Sequence, residues 1–161
     1  MDVIFLDPAL HVNFDKLKSR LTETLEKYAR ADRKIKVLYG NCHPEMAQIV
    51  RCHGAERIDA VNCIEAIVGA EEISRLDKEA KTFFLTAGWV NNWEAIFRLG
   101  EEDLKIDFSQ MFSSYKRIVV FDARGISIDE EKVRKFSEFT KLPVERRSIN
   151  LEHFLPILRP Y

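Results

Sequence analysis

The sequence predicts an α/β fold with a mostly parallel, open sheet of five or six strands and helices on both faces. Two observations support this prediction. Short apolar runs alternate along the chain with longer segments whose apolar residues recur at helical spacing. Most of these runs also end at glycine, aspartate or asparagine, where the chain can turn toward the next helix. This alternation is typical of a Rossmann-like domain.

The N-terminal part of the chain predicts two strands and the helix between them. Residues 3–6 are apolar and precede an Asp-Pro pair, so we expect them to form a buried strand. Asn13 is well placed to cap the next helix, whose leucines recur at helical spacing. Residues 35–39 form the second predicted strand, which stops at Gly40.

The middle of the chain predicts two further strands. Pro44 suits the first turn of a helix over 45–52, because its missing N–H would have no partner there. Residues 57–61 predict a weaker third strand, and the aromatic residues within 82–86 predict the fourth.

The last third of the chain predicts the remaining strands. Residues 118–121 are expected to form the fifth strand, and Ser127 with Glu130 makes a capping box for the helix that follows. Residues 144–149 predict an edge strand. The tail over 151–161 is expected to pack on its own domain or on a second subunit, so an oligomer stays open.

Length and composition favour one soluble domain over residues 1–161. The chain is 46% hydrophobic and 32% charged, which is a globular composition, and its net charge of -1 without a basic cluster argues against nucleic-acid binding. No apolar run is long enough to cross a membrane, and the acidic start is unlike a secretory signal. We therefore expect a cytoplasmic protein, in which the three cysteines are free thiols or metal ligands.

Chemically reactive side chains are concentrated where the predicted strands end. Ligands of open parallel sheets bind beyond the carboxyl ends of the strands, so we expect these residues to share one edge. In strand order they are Asp7 and His11, then Asn41, Cys42 and His43, then Asn62, Cys63 and Glu65, then Gly88 and Trp89, and finally Asp122 and Arg124.

Two of the cysteines are expected to lie together and the third apart. Cys42 and Cys63 both follow strands, whereas Cys52 and His53 lie at least about 10 Å away along a helix that rises about 1.5 Å per residue. Two thiolates with an imidazole suit zinc or iron. The predicted metal ligands are Cys42, Cys63, His11 and His43, with Glu65 as an alternative. Both cysteines of the pair precede helix starts, where the helix dipole is expected to lower a thiol pKa.

Structural roles compete with these functional ones. Free cysteine is often a small apolar core residue, which is the favoured interpretation of Cys52 and an equal alternative for the other two. His43 could instead cap the following helix. Gly88 and Trp89 are predicted to hold a ligand or cofactor, with packing of the strand-to-helix corner as the alternative. The motifs of P-loop, dinucleotide-binding, serine hydrolase and HExxH metallopeptidase enzymes are absent.

Four short motifs resemble those of an uncharacterised family from methanogenic archaea and other anaerobes, known as a domain of unknown function. They are PALH at 8–11, YGNC at 39–42, NCIEAIVG at 62–69 and LTAGWV at 85–90. The family has Asp where this chain has Asn62 and Pro where it has Ala87, so the resemblance carries no acidic ligand or base over to position 62. The resemblance spans residues 9–93 and implies an association with corrinoid-dependent methyl transfer. The chain lacks the Asp-x-His-x-x-Gly segment of corrinoid carriers.

The leading hypothesis is a metal-binding protein and candidate metalloenzyme, with zinc or iron at the carboxyl edge of the sheet. One alternative is a non-catalytic accessory or cofactor-binding module in corrinoid or one-carbon metabolism. Its partner would be a small-molecule ligand or a corrinoid methyltransferase component. The other alternative is a thiol-dependent enzyme that uses Cys42 or Cys63.

Overall fold

A computed structural model describes residues 2–29, 34–104 and 108–159, without the side chains of residues 11, 99–104 and 109. Its elements, in chain order, are a 3-10 turn Pro8–Val12, α1 Phe14–Tyr28, β1 Lys36–Val37, α2 Met46–Cys52, β2 Glu56–Arg57, α3 Cys63–Val68, α4 Ala70–Glu79, β3 Thr82–Leu85, α5 Ala87–Leu104, α6 Phe108–Met111, a second 3-10 turn Phe112–Ser114, β4 Arg117–Ala123, α7 Glu130–Thr140, β5 Val144–Ile149 and α8 Leu155–Leu158.

The strands form two small parallel sheets. One contains β1 and β2, and the other contains β3, β4 and β5 with β4 in the centre. The predicted α/β alternation and parallel pairing are therefore confirmed. The prediction of one continuous sheet of five or six strands is wrong.

The missing element is the first predicted strand, over residues 3–6. Val3 and Ile4 are 54% and 46% exposed, and Phe5 is 89% exposed, so this apolar run lies at the surface. Among the described residues it takes part in neither sheet. An apolar run becomes a buried strand only if a sheet accepts it beside its other strands. Here β1 and β3 lie in separate sheets rather than in the one continuous sheet that the prediction assumed.

Helices cover both faces of the β1–β2 sheet. Val37 faces α1 and α2, in a cluster with Leu17, Leu21, Leu25, Met46, Ile49 and Val50. On the opposite face, Leu38 packs in a cluster with Ile58, Ala60, Ala66 and Ile157 of α8. The Lys36 ammonium also donates to the Ile157 carbonyl oxygen at 3.0 Å. The C-terminal tail thus packs on its own domain, one of the two predicted alternatives.

The three-stranded sheet is likewise covered on both faces. Phe83, Leu85, Ile118 and Val120 face the aromatic cluster of α5 and α7, whereas Phe84, Val119 and Phe121 face α3 and α4. Helix α3 contributes Ala66 to the core of the first sheet, and Ile64 and Val68 to the core of the second. It therefore connects the two sheets into one structure.

Arg117, in β4, connects α4 to the three strands of the second sheet through hydrogen bonds and ion pairs. Its guanidinium donates to Thr82 Oγ1 at 3.0 Å and to the Leu76 carbonyl oxygen at 2.9 Å. It also forms ion pairs of 3.1 Å with Glu79 and Glu145. The Arg117 side chain is only 10% exposed, so these contacts satisfy a buried cation.

Helix starts were predicted with mixed success. Asn13 caps α1, because its Oδ1 accepts the Lys16 N–H at 3.0 Å. The prediction of a capping box at Ser127 is wrong, since Asp129 caps α7 and its side chain accepts the Lys132 N–H at 3.1 Å. Within the described ranges, no helix combines the length and the apolar character needed to cross a membrane.

Candidate functional site

Gly40 brings the two cysteine-bearing connections into contact. A Cβ at this position would lie 2.2 Å from the Val61 carbonyl oxygen and 2.6 Å from the Asn62 Cα, both of which are backbone atoms. The next residue, Asn41, donates its N–H to the Val61 carbonyl oxygen at 2.6 Å. Because only glycine leaves room for this approach, the segment carrying Cys42 rests directly on the segment that leads to Cys63.

A reciprocal cap holds the start of α3 and with it Cys63. Asn62 Oδ1 accepts the Glu65 N–H at 2.9 Å, and Glu65 Oε1 accepts the Val61 N–H at 3.0 Å. Aspartate could make the same cap, so the difference from the family pattern at position 62 preserves a local structural role. The Glu65 carboxylate, the alternative metal ligand, is engaged in this cap.

The two thiols form an electrostatically coupled pair. Burial raises the pKa of the Cys42 thiol, an effect opposed by a backbone hydrogen bond at Gly40 and by the nearby Arg57 charge. Burial also raises the pKa of the Cys63 thiol, and the proximity of Cys42 raises it further. Cys63 as a residue is exposed and Cys42 is partly buried. The expected lowering of both pKa values by helix dipoles is therefore wrong, because desolvation outweighs it.

Tyr39 and Arg57 complete the polar surroundings of the pair. Burial and the nearby groups Cys42, Cys63 and Asp7 raise the pKa of Tyr39 to about 12. The Arg57 guanidinium donates to Asn41 Oδ1 at 2.7 Å, which holds its charge beside the Cys42 segment. Neither residue was among the sequence candidates. The YGNC motif, which contains Tyr39, could have indicated a site at that residue. Arg57 lies in a predicted strand, and the sequence pattern there gave no indication of a site.

Trp89 reaches the pair from the other sheet. It follows β3, its ring packs edge-on to Phe83 at 6.3 Å, and its indole has a small lowering effect on the pKa of the Cys63 thiol. Gly88 is exposed, and no heavy atom lies within 4 Å of the position a Cβ would take. The space beside Gly88 is therefore open. The ligand-binding role of Gly88 and Trp89 stays a prediction.

The two histidines predicted as ligands have different outcomes. His43 is 7% exposed, its Nδ1 accepts the Glu45 N–H at 2.9 Å, and its ring contacts Phe14 at 5.5 Å. His43 is therefore engaged in the turn before α2 rather than at its N-cap, which is Glu45, so the predicted capping role is not what the structure shows. His11 lies in the turn Pro8–Val12, which packs against α5, but its side chain is outside the described part of the chain.

The remaining polar candidates lie apart from the thiol pair. Cys52 is exposed at the end of α2, so its interpretation as a core residue is wrong. His53 holds the same helix end through a 2.8 Å contact between Nδ1 and the Ile49 carbonyl oxygen. Asp122 lies in β4, the central strand of the other sheet, and Arg124 follows that strand; none of their described contacts reaches the pair.

The described residues offer two thiols at this edge without a third side chain arranged to share a metal ion with them. Within the described ranges, no group of three or more histidine, cysteine, aspartate or glutamate side chains is arranged to hold a metal ion. A metal bound between Cys42 and Cys63 would therefore have positions open to another molecule or to a side chain outside the described set.

Raised thiol pKa values predict the order in which the cysteines are alkylated. At pH 8 we expect iodoacetamide to modify Cys52 before Cys42 and Cys63, because a raised pKa leaves less thiolate at that pH. The rates at the pair should keep rising above pH 9. Peptide mass spectrometry of timed samples measures all three rates, and faster reaction of either paired thiol would contradict the expected order.

Comparison with known proteins identifies the family. Searches of curated proteins and of solved structures gave no match. A family model described as "Protein of unknown function (DUF1638)" matches residues 5–158, which include the thiol pair, Tyr39 and Trp89. The chain therefore belongs to the DUF1638 family, an uncharacterised family.

Proposed function

We propose that the protein binds a borderline or soft metal ion, zinc or iron, through the sulfur atoms of Cys42 and Cys63. The observation that carries this proposal is the direct backbone contact, at Gly40, between the two strand-to-helix connections that carry Cys42 and Cys63, with Cys42 near enough to raise the pKa of Cys63. A pair of core cysteines would not need the Arg57 guanidinium that Asn41 holds beside the Cys42 segment. Such outer groups are common around metal-bound thiolates.

The chemistry of the pair fits a site that is loaded with metal rather than one that acts as a bare nucleophile. Metal ligation requires both thiols to lose their protons, so binding should strengthen as the pH rises. A thiol enzyme needs a thiolate at neutral pH, and burial raises both pKa values here. A bound cation would itself favour deprotonation of both thiols, which supports the metal proposal over the thiol-enzyme alternative.

The proposed activity depends on the coordination positions of the metal ion that protein side chains leave open. Structural zinc sites usually have four protein ligands, whereas catalytic sites leave a position for water or substrate. With two thiolates supplied by the described residues, the ion could activate a bound water or a substrate thiol. His11 stays proposed as a third ligand, and His43 could contribute only through Nε2, because its Nδ1 accepts the Glu45 N–H.

Cobalt and zinc titrations test the proposal. Wild-type protein purified without oxygen should bind about one ion per chain, with a thiolate-to-cobalt charge-transfer band for Co²⁺. Cys42→Ser and Cys63→Ser should each lower the affinity by more than the about 10–100-fold expected for losing an outer-shell partner. Cys52→Ser is the matched control and should bind like wild type. Stoichiometric metal in the Cys42→Ser/Cys63→Ser double variant would overturn the proposal.

We propose corrinoid-dependent methyl transfer in the cytoplasm as the setting of this site, on the strength of the family resemblance. The accessory-module alternative predicts a different result in one experiment. A corrinoid or a methyltransferase subunit that raises the melting temperature equally in wild type and in the double cysteine variant would favour a binding module. Stabilisation that requires both cysteines would favour the metal site.

A further inference from the structure

We infer that Arg57 binds an oxyanion, a carboxylate or a phosphate group of a ligand, at the carboxyl edge of the β1–β2 sheet. Three features of Arg57 support this role. They are its place in the fold, the hydrogen bond that holds its guanidinium, and the lack of an ion pair with any described carboxylate. The contact lies outside the proposed metal coordination and requires neither sulfur atom.

Arg57 lies where parallel sheets bind their ligands. It is the last residue of β2 and stands opposite Val37 of β1 in the parallel register. Ligands of open parallel sheets bind beyond the carboxyl ends of the strands. Side chains alternate along an extended chain, so Arg57 faces away from Ile58, which packs in the core under the C-terminal tail. The guanidinium of Arg57 instead reaches Asn41, in the segment that follows β1.

A neutral side chain holds the guanidinium in place. Arg57 Nη1 donates to Asn41 Oδ1 at 2.7 Å. Asn41 is itself fixed, because its N–H donates to the Val61 carbonyl oxygen at 2.6 Å beside the Gly40 contact. An amide oxygen carries no net charge, so this hydrogen bond orients the cation without neutralising it.

Arg57 has no acidic partner among the described residues, although its side chain is half-buried. Arg117, the buried arginine of the other sheet, pairs with two glutamates. Even the exposed Arg75 and Arg134 each pair with two glutamates. A charge that has lost part of its water shell is usually paired, because burial without a partner is costly. The charge of Arg57 is therefore available to an anion from outside the chain.

The remaining donors of Arg57 match the geometry of an oxyanion. A guanidinium has five N–H donors in one plane, and the described hydrogen bond of Arg57 uses only Nη1. Nε and Nη2 lie on the adjacent edge of the plane, where their N–H bonds can donate in parallel to two oxygens of one group. Carboxylate and phosphate both offer two such oxygens. Chloride offers the negative charge without them, which makes it a control for general attraction.

Nuclear magnetic resonance titration of metal-free protein tests this contact. Sodium acetate and sodium phosphate are the two probes, and sodium chloride at equal ionic strength is the control. Acetate, phosphate or both should move the Arg57 Nε–H peak and the Asn41 backbone N–H peak along a saturating curve. Saturation by one probe alone identifies the oxyanion as carboxylate or as phosphate. Shifts that stay linear with both probes and match those with chloride would overturn the inference.

Two nearly isosteric substitutions separate a two-point contact from general attraction. Arg57→Lys keeps the charge but loses the planar fork, so it should weaken binding of the saturating probe about 10–100-fold. Asn41→Asp places a carboxylate beside the same guanidinium, so it should compete with the probe and lower its affinity. Arg51→Met removes an exposed arginine at the end of α2 and should bind like wild type. Wild-type affinity in both Arg57→Lys and Asn41→Asp would assign the probe to another site and refute the role of Arg57.

The double cysteine variant distinguishes this site from the proposed metal site. Cys42→Ser/Cys63→Ser should bind acetate or phosphate like wild type, because Arg57 and Asn41 supply the contact. Loss of binding in that variant would place the anion at the cysteines instead and contradict the inference. If wild type binds no zinc but saturates with either probe through Arg57, the metal proposal is wrong and the oxyanion site is established.

Discussion

Replacing Gly40 with alanine should lower the free energy of unfolding by about 3 kcal/mol, the upper end of the usual cost of overpacking. The added Cβ would lie 2.2 Å from the Val61 carbonyl oxygen. Backbone atoms cannot rotate away as a side chain can, so the two connections must separate. The 2.6 Å hydrogen bond from the Asn41 N–H to Val61 should weaken with them. Urea unfolding followed by circular dichroism measures the loss.

Gly88→Ala is the matched control for this substitution. Gly88 has no heavy atom within 4 Å of the added Cβ and lies within α5, where alanine is favoured over glycine by up to about 1 kcal/mol. The free energy of unfolding of the Gly88→Ala variant should therefore stay the same or rise. Gly40→Ala should also weaken cobalt binding if the proposed metal site is correct, whereas equal stability of the two variants would show that the Gly40 contact is not a constraint.

Arg117→Met should cost about 3 kcal/mol, because it leaves polar groups of the core without their donor. The Leu76 carbonyl oxygen loses a 2.9 Å hydrogen bond, and Thr82 Oγ1 loses one of 3.0 Å. The ion pairs with Glu79 and Glu145 contribute less, since those carboxylates are 42% and 40% exposed and partly screened by water. Chemical denaturation at constant pH gives the value directly.

Arg75→Met is the control that separates burial from charge. Arg75 also pairs with Glu79, but its side chain is 55% exposed on α4. Exposed pairs contribute at most about 1 kcal/mol, so this variant should stay close to wild type. If both arginine variants lost the same stability, the effect would come from the charge of Glu79 and not from the buried contacts of Arg117.

The sequence anticipated where the reactive residues meet better than it anticipated the sheet itself. Cys42 and Cys63 were expected at one edge because both follow strands, and the structure brings them together. That expectation needs only parallel strands, which local patterns specify. Whether residues 3–6 join a sheet depends on surfaces contributed by distant parts of the chain. The exposed Phe5 shows that an apolar run by itself does not decide this.

Electrostatic details were beyond the reach of sequence patterns for a similar reason. The helix that starts at Cys63 spans Cys63–Val68, and its dipole was expected to lower the thiol pKa. Desolvation raises that pKa instead, and desolvation depends on which neighbours cover the sulfur. Arg57, held by Asn41 at 2.7 Å, was missed because two side chains sixteen residues apart meet only after folding.

Helix α3 packs against both sheets, and this has a consequence for local unfolding of the protein. The thiols belong to connections of the β1–β2 sheet, whereas Trp89 follows β3 of the other sheet. Proteins open in cooperative units that often correspond to such substructures, so each sheet should have its own amide-exchange rate. Cys63 begins α3, whose side chains pack in the cores of both sheets, so an ion held by both thiols would bridge the two units. Its binding should therefore slow amide exchange in β3 as well as in β1, and merge two opening events into one.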